Sequence, residues 1–203
     1  NTISPVDGTF ARASIGTYYN KQGLVTTATN NVPRFNYDPE TSRFQGLLIE
    51  ASGTNNLLYS EQLNDTSWIK SNLTISINAA VSPDGSTSAE KLIGNLSSVS
   101  SYLLSSSLTI TNAVCTGSIY VKAGEYPRVK IGLSNYSSET RSVYFDLING
   151  VYLGADMDGT DFISISGTIQ KVRNSWFRCS ITATKGSVNN TVRLFVEALD
   201  SSS

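Results

Sequence analysis

Between Leu73 and Leu199 apolar side chains recur at every second position in short runs, and this period constrains the fold more than any other feature of the chain. Successive side chains of a strand point to opposite faces, so such a run buries one face and leaves the other outward. Val129, Ile131 and Leu133 alternate with Lys130, Gly132 and Ser134, and Val192, Leu194 and Val196 alternate with Arg193, Phe195 and Glu197. The predicted strands are Leu73 to Asn78, Tyr102 to Ile110, Val114 to Ala123, Arg128 to Asn135, Ser142 to Leu147, Phe162 to Val172, Trp176 to Thr182 and Val192 to Leu199. Turn chemistry separates them at Pro83-Asp84-Gly85, Asn149-Gly150 and Asp158-Gly159. Only Thr87 to Leu92 offers a short helix, through Ala89, Glu90 and Lys91, and a strand competes with it there. The expected fold is therefore all-β, an antiparallel jelly-roll-like β-sandwich over 63–203, with Ser201 to Ser203 a frayed end.

The preceding stretch behaves differently. From Phe10 to Glu61 there is turn chemistry but neither helical nor sandwich periodicity, and the one short apolar run is Leu47-Leu48-Ile49. A segment of this kind needs another surface to lie on. Residues 1–62 are expected to form an extended N-terminal arm packed on the sandwich or on a neighbouring subunit, burying Phe35, Tyr37 and Leu47. Glu50 then serves Arg or backbone donors within the arm.

A chain of 203 residues buries about 70% of its unfolded surface, so one β domain with an arm suffices. Net charge is −1 and 15% of residues are charged, which leaves no electrostatic footprint for nucleic acid or an anionic membrane. Lys122, Arg128 and Lys130 read as a solvated basic face. No apolar run approaches the ~18 residues of a membrane span, and the N-terminus lacks the pattern of a signal peptide. Because Asn1 is not an initiator methionine, the numbering is expected to begin inside a longer or processed chain. The two cysteines, Cys115 and Cys179, share faces with Ile119 and Val121 and with Phe177 and Ile181. Buried reduced thiols are favoured over a disulfide.

Histidine is absent, which removes Ser-His-Asp and Cys-His catalysis and the commonest metal ligand. Glu50, Glu61, Glu125, Glu139, Asp146 and Glu197 supply carboxylates for glycoside hydrolysis, yet none sits in a catalytic motif. The chain is not expected to be an enzyme, and no cofactor is expected. Asp156, Asp158 and Asp161 surround Gly159 as hard ligands surround Ca²⁺, but no Glu closes the loop, so a plain acidic hairpin is favoured over a calcium site. Sugar recognition needs exposed rings flanked by polar side chains. Tyr120, Lys122, Tyr144, Trp176 and Arg178 fall on the outward phase of their strands and would form one glycan-binding surface if those strands are neighbours. The competing role, favoured for Trp176, is packing between sandwich and arm.

Several signatures stand along the chain in a fixed order: Ala11-Arg12-Ala13-Ser14, Thr17-Tyr18-Tyr19, Val32-Pro33-Arg34-Phe35, Gly46-Leu47-Leu48-Ile49-Glu50 and Asn55-Asn56-Leu57-Leu58-Tyr59-Ser60. They continue through Trp68, the Ser82-Pro83-Asp84-Gly85-Ser86 turn, Ser118 to Gly124, Val143 to Gly150 and Asn174 to Ser180. Together they resemble a module of tail and tail-fibre proteins of tailed bacteriophages. The resemblance implies a virion structural protein of a tail fibre, spike or surface appendage, made in the host cytoplasm. It further implies a carbohydrate-binding-like sandwich, a homo-oligomer with a trimer favoured, other virion proteins as partners, and host-surface glycan as a further one. No nucleic-acid or membrane partner is expected. A carbohydrate-binding module of a secreted glycan-degrading enzyme is the alternative, although such a module needs no long aperiodic leader. Two departures stand out. Gly53 replaces the Arg usual before the Thr-Asn pair, and the chain stops after Leu199 where a final strand commonly follows, leaving an open sandwich edge.

Overall fold

The computed structural model describes residues 10–51, 53–95, 100–135 and 139–200. The first nine residues of the arm, residues 52, 96–99 and 136–138, and the end 201–203 lie outside the described residues. Among the described residues the protein is all-β, without an α-helix.

Two short hairpins open the chain: β1 (Gly16–Tyr19) with β2 (Val25–Ala28), and β3 (Phe35–Tyr37) with β4 (Phe44–Leu47). Next come β5 (Ile69–Ser71) and the hairpin β6 (Leu73–Ala80) with β7 (Ala89–Gly94). The remaining strands are β8 (Tyr102–Leu104), β9 (Leu108–Thr109), β10 (Ala113–Val121), β11 (Arg128–Ser134), β12 (Thr140–Asp146), β13 (Val151–Ala155), β14 (Phe162–Lys171), β15 (Phe177–Lys185) and β16 (Thr191–Leu199). One sheet runs β13-β12-β11-β16-β8-β5, with β9 also on β16, and a second runs β10-β15-β14.

The alternation read from sequence sets the register. Ile131 stands opposite both Val143 and Val196, so one row of aliphatic side chains crosses β12, β11 and β16. Cys179 stands opposite both Ile119 and Ile169 in the second sheet. Both rows enter one core with Leu103, Phe145, Ile181 and Leu194, and each such side chain contributes about 1.5–3 kcal/mol when fully buried. Gly117 lets β10 approach the facing sheet, since a Cβ there would lie 2.6 Å from Leu194 Cδ1. Both cysteines are free thiols turned to this core, Cys179 fully buried and Cys115 partly so.

Four readings are revised or resolved. The strand predicted from Tyr102 to Ile110 divides into β8 and β9, because Ser105 bulges against β16: its hydroxyl accepts from Leu194 N–H (2.9 Å), and its own N–H donates to the Leu194 carbonyl (2.9 Å). Within the Thr87 to Leu92 stretch, Ala89 to Leu92 is strand, since Asp84 and Gly85 (φ 91°) turn the chain back and pair β7 with β6. Among the described residues β16 is an interior strand and not an open edge, because it lies between β11 and β8.

The arm is the fourth. It contains two hairpins whose strands of three or four residues are too short for periodicity to register. Side-chain caps make their turns: the Asn20 amide oxygen accepts from Gln22 and Leu24 N–H, and the Asp38 carboxylate accepts from Glu40 and Thr41 N–H. Arg12 donates to the carbonyls of Ala28, Thr29 and Val32. Buried Arg34 pairs with Glu50 at 2.6 Å, which is the role expected of Glu50.

Candidate functional site

Tyr120 and Arg178 are direct register partners on β10 and β15, and Lys122 lies one residue beyond the end of β10. Their outward face also carries Ser118, whose hydroxyl lies 3.5 Å from the Arg178 guanidinium. Trp176 directly precedes β15, the central strand of this sheet, after a turn in which Asn174 (φ 58°) and Ser175 (φ 63°) both take left-handed backbone. Asn tolerates that region better than most residues.

This end of the three-stranded sheet is covered by the arm. Trp176 is 8% exposed and packs with Tyr19 and Val172, with Val25, Ala89 and Tyr120 around them. Its indole N–H donates to the Val81 carbonyl at 3.0 Å. The Tyr19 and Tyr120 hydroxyls lie 3.1 Å apart, and burial followed by that hydrogen bond pushes the Tyr19 phenol far above its ordinary pKa. Arg173 reaches the Gln22 carbonyl, and Lys171 pairs with Glu40. Trp176 thus has the packing role, and Tyr120 shares it.

Tyr144 is separated from the other four candidates. It sits on β12, opposite Lys130 and Gly154, on the outward face of the seven-stranded sheet. The single glycan surface required strands 10, 12 and 15 to be neighbours, and β12 instead pairs with β11 and β13. The core runs between the two sheets, so Tyr144 and Tyr120 face away from each other.

Around Tyr144 the structure assembles side chains that were not grouped from the sequence. Lys130 pairs with Glu197 at 3.1 Å and lies 5.1 Å from the centroid of the Phe195 ring. Phe195 and Tyr102 have ring centroids 5.1 Å apart. Tyr144 donates to Asp156 at 3.0 Å, and burial first, then this bond, raises its pKa to about 12. The available signal was Phe195 itself, an aromatic on the polar phase of an alternating strand. Its neighbours come from strands distant in sequence. Rings interleaved with a cation and two carboxylates can stack on the apolar face of a sugar and bond its hydroxyls.

The three aspartates weighed as a calcium site do not group as one among the described residues. Asp156 accepts from Ser142 N–H and Tyr144 O–H, Asp158 accepts from Ile165 N–H, and Asp161 is buried against Lys185 at 2.6 Å. Each carboxylate has protein donors from a different element, and among the described residues no three His, Cys, Asp or Glu side chains group as a metal site. A scan of protein-family models finds no match to this chain, and a search of curated proteins finds none either.

Proposed function

We propose that this chain is a structural protein of a tailed-phage virion, placed in a tail fibre, spike or surface appendage. In this reading it is a jelly-roll-like sandwich that assembles with copies of itself through its arm and adheres to a host-surface glycan. The observation that carries the assembly role is the second arm hairpin. Phe35, Phe44 and Leu47 are 51%, 55% and 42% exposed, and Phe44 lies 6.3 Å from the Phe35 ring and 5.3 Å from Tyr37. A grouped apolar face of this kind marks a contact surface. The first hairpin is held by Tyr19 on the same chain, whereas the second is tied down at its turn, through buried Pro39 and the Glu40 pair with Lys171, and leaves Phe35, Phe44 and Leu47 uncovered. In a symmetric trimer each second hairpin lies on the adjacent copy.

Sedimentation of the full chain tests this directly. The expected result is a trimer that becomes a monomer when Phe35, Phe44 and Leu47 are all replaced by Ser, with the β-rich circular dichroism retained. A monomeric parent chain that still binds glycan would favour the module of a secreted enzyme instead. The adhesive surface supported best is Tyr102, Lys130, Tyr144, Phe195 and Glu197. Loss of a sugar-stacking ring costs about 1 kcal/mol or more, so Phe195→Ala or Tyr102→Ala should weaken glycan binding severalfold while Lys122→Ala should not. The reverse pattern would move the surface to the three-stranded sheet.

A further inference from the structure

The pair Lys185–Asp161 lies wholly inside the protein, with side chains 0% and 1% exposed and the Lys185 Nζ 2.6 Å from Asp161 Oδ1. Burying two ions costs several kcal/mol each, and a hydrophobic pair of similar volume often serves stability as well. A third buried side chain completes the group: Asn135 is 1% exposed, and its Nδ2 donates to Asp161 Oδ2 at 3.1 Å. One carboxylate therefore holds an amine on one oxygen and a carboxamide on the other. The Asn135 Oδ1 accepts from Glu139 N–H at 2.9 Å, so the carboxamide is oriented from both ends. The Phe162 ring closes the site 5.5 Å from the lysine nitrogen.

These side chains constitute a nucleophile, an electrophile and a proton carrier in a site without bulk water. We propose that Lys185 and Asn135 join in an intramolecular amide bond formed by the folded protein itself, with Asp161 carrying the protons. Lys185 gives a proton to Asp161, and its neutral Nζ attacks Asn135 Cγ. Negative charge gathers on Asn135 Oδ1, where the Glu139 N–H already donates. Asp161 hands its proton to Asn135 Nδ2 and takes one from the attacking nitrogen as the Cγ–Nδ2 bond breaks. Ammonia leaves, the new Nζ–Cγ amide remains, and Asp161 retains one proton. No oxidant or other reactant is consumed, and net charge at the site is zero before and after.

Burial acts upward on the Asp161 carboxyl, and the bonds from Lys185 and Asn135 with the lysine charge more than offset it, so its pKa lies below the usual carboxylate value. The first proton transfer is thus uphill, and holding the three groups together in a fixed geometry is what lowers the remaining barrier. Only Asn135 as electrophile gives all three side chains a part. The product would also have a structural consequence: Lys185 ends β15 of the three-stranded sheet, and Asn135 directly follows β11 of the seven-stranded one. The bond staples the two sheets to each other at one end of the core, in a chain whose two thiols remain free.

The test is the intact mass of the purified full chain, followed by tryptic mapping. The expected mass is lower than that of the sequence by about 17 Da, the mass of the lost ammonia. Residues 131–141 should appear joined to residues 179–193, with cleavage after Lys185 blocked. Lys185→Arg and Asp161→Asn should each restore the unmodified mass, and the parent measurement decides the matter if either variant fails to fold. An unshifted mass in folded protein overturns the proposal and leaves a static ion pair. A loss of about 18 Da with Lys185 joined to Asp161 also overturns it, since water rather than ammonia has then left. A shift confined to one peptide, as from cyclisation of a single asparagine, does the same.

Discussion

The hydroxyls of Tyr19 and Tyr120 lie 3.1 Å apart, so the first hairpin of the arm is bonded to the central part of the chain across 101 positions of sequence. Together with Trp176 and Val172 they form a small second core outside the main sandwich. They anchor the arm together with the contacts of Arg173 to the Gln22 carbonyl and of Lys171 to Glu40.

Trp176→Ala should cost about 3–5 kcal/mol, as removal of a buried aromatic does, and Tyr19→Phe about 1 kcal/mol for its single hydrogen bond. Urea unfolding of both variants measures this. A Trp176→Ala midpoint equal to that of the parent would show that the arm contact adds nothing to stability.

Tyr144 gives the protein an alkaline limit. Its folded pKa, about 12, lies above the ordinary 10.0. A raised folded pKa means that its contribution is complete below pH 10.0 and is lost as pH rises from there through about 12. Stability should therefore fall over that range, and Tyr144→Phe should make the fall shallower. An identical alkaline profile for parent and variant would rule out this linkage.

Burial alone pushes the Cys179 thiol up to about 12, and burial is also the main cause that raises Cys115. The thiolate is the reactive form. Thiol reagents at neutral pH should therefore label neither cysteine in the folded chain and both after unfolding in denaturant. Rapid native labelling of Cys179 would show that the core opens there.

Glu139 receives the N–H groups of Thr160, Asp161 and Phe162 on one carboxylate. Hydrogen bonds to a charged group are worth about 1.5–3 kcal/mol, so Glu139→Ala should lower the unfolding free energy by about 2–3 kcal/mol. Denaturant titration reads this, and a change under 0.5 kcal/mol, the order expected of an uninvolved surface site, would contradict it.

Without histidine, and with Glu50 tied to Arg34 and Glu197 to Lys130, the chain should release no reducing ends from capsular or lipopolysaccharide glycans. Release that disappears on a single Glu→Gln substitution would overturn this and identify that carboxylate as catalytic.

Much of the strand content was legible because it depends on neighbours in sequence. Alternation along β11, β15 and β16 places Ile131, Cys179 and Val196 inward, since successive side chains of a strand must point to opposite faces. The Arg34–Glu50 pair and the Asn149-Gly150 turn between β12 and β13 rest on similarly short reach. Which strands become neighbours is a different matter. Tyr120 and Tyr144 have the same outward phase, yet they lie on opposite sheets because β10 pairs with β15 while β12 pairs with β11. The closing position of β16 between β11 and β8, and the meeting of Asn135, Asp161 and Lys185, arise likewise from distant pairings. Alternation specifies which face of a strand is buried, whereas the choice of partner follows from how all the apolar faces are covered together, and that is decided only when the chain closes on itself.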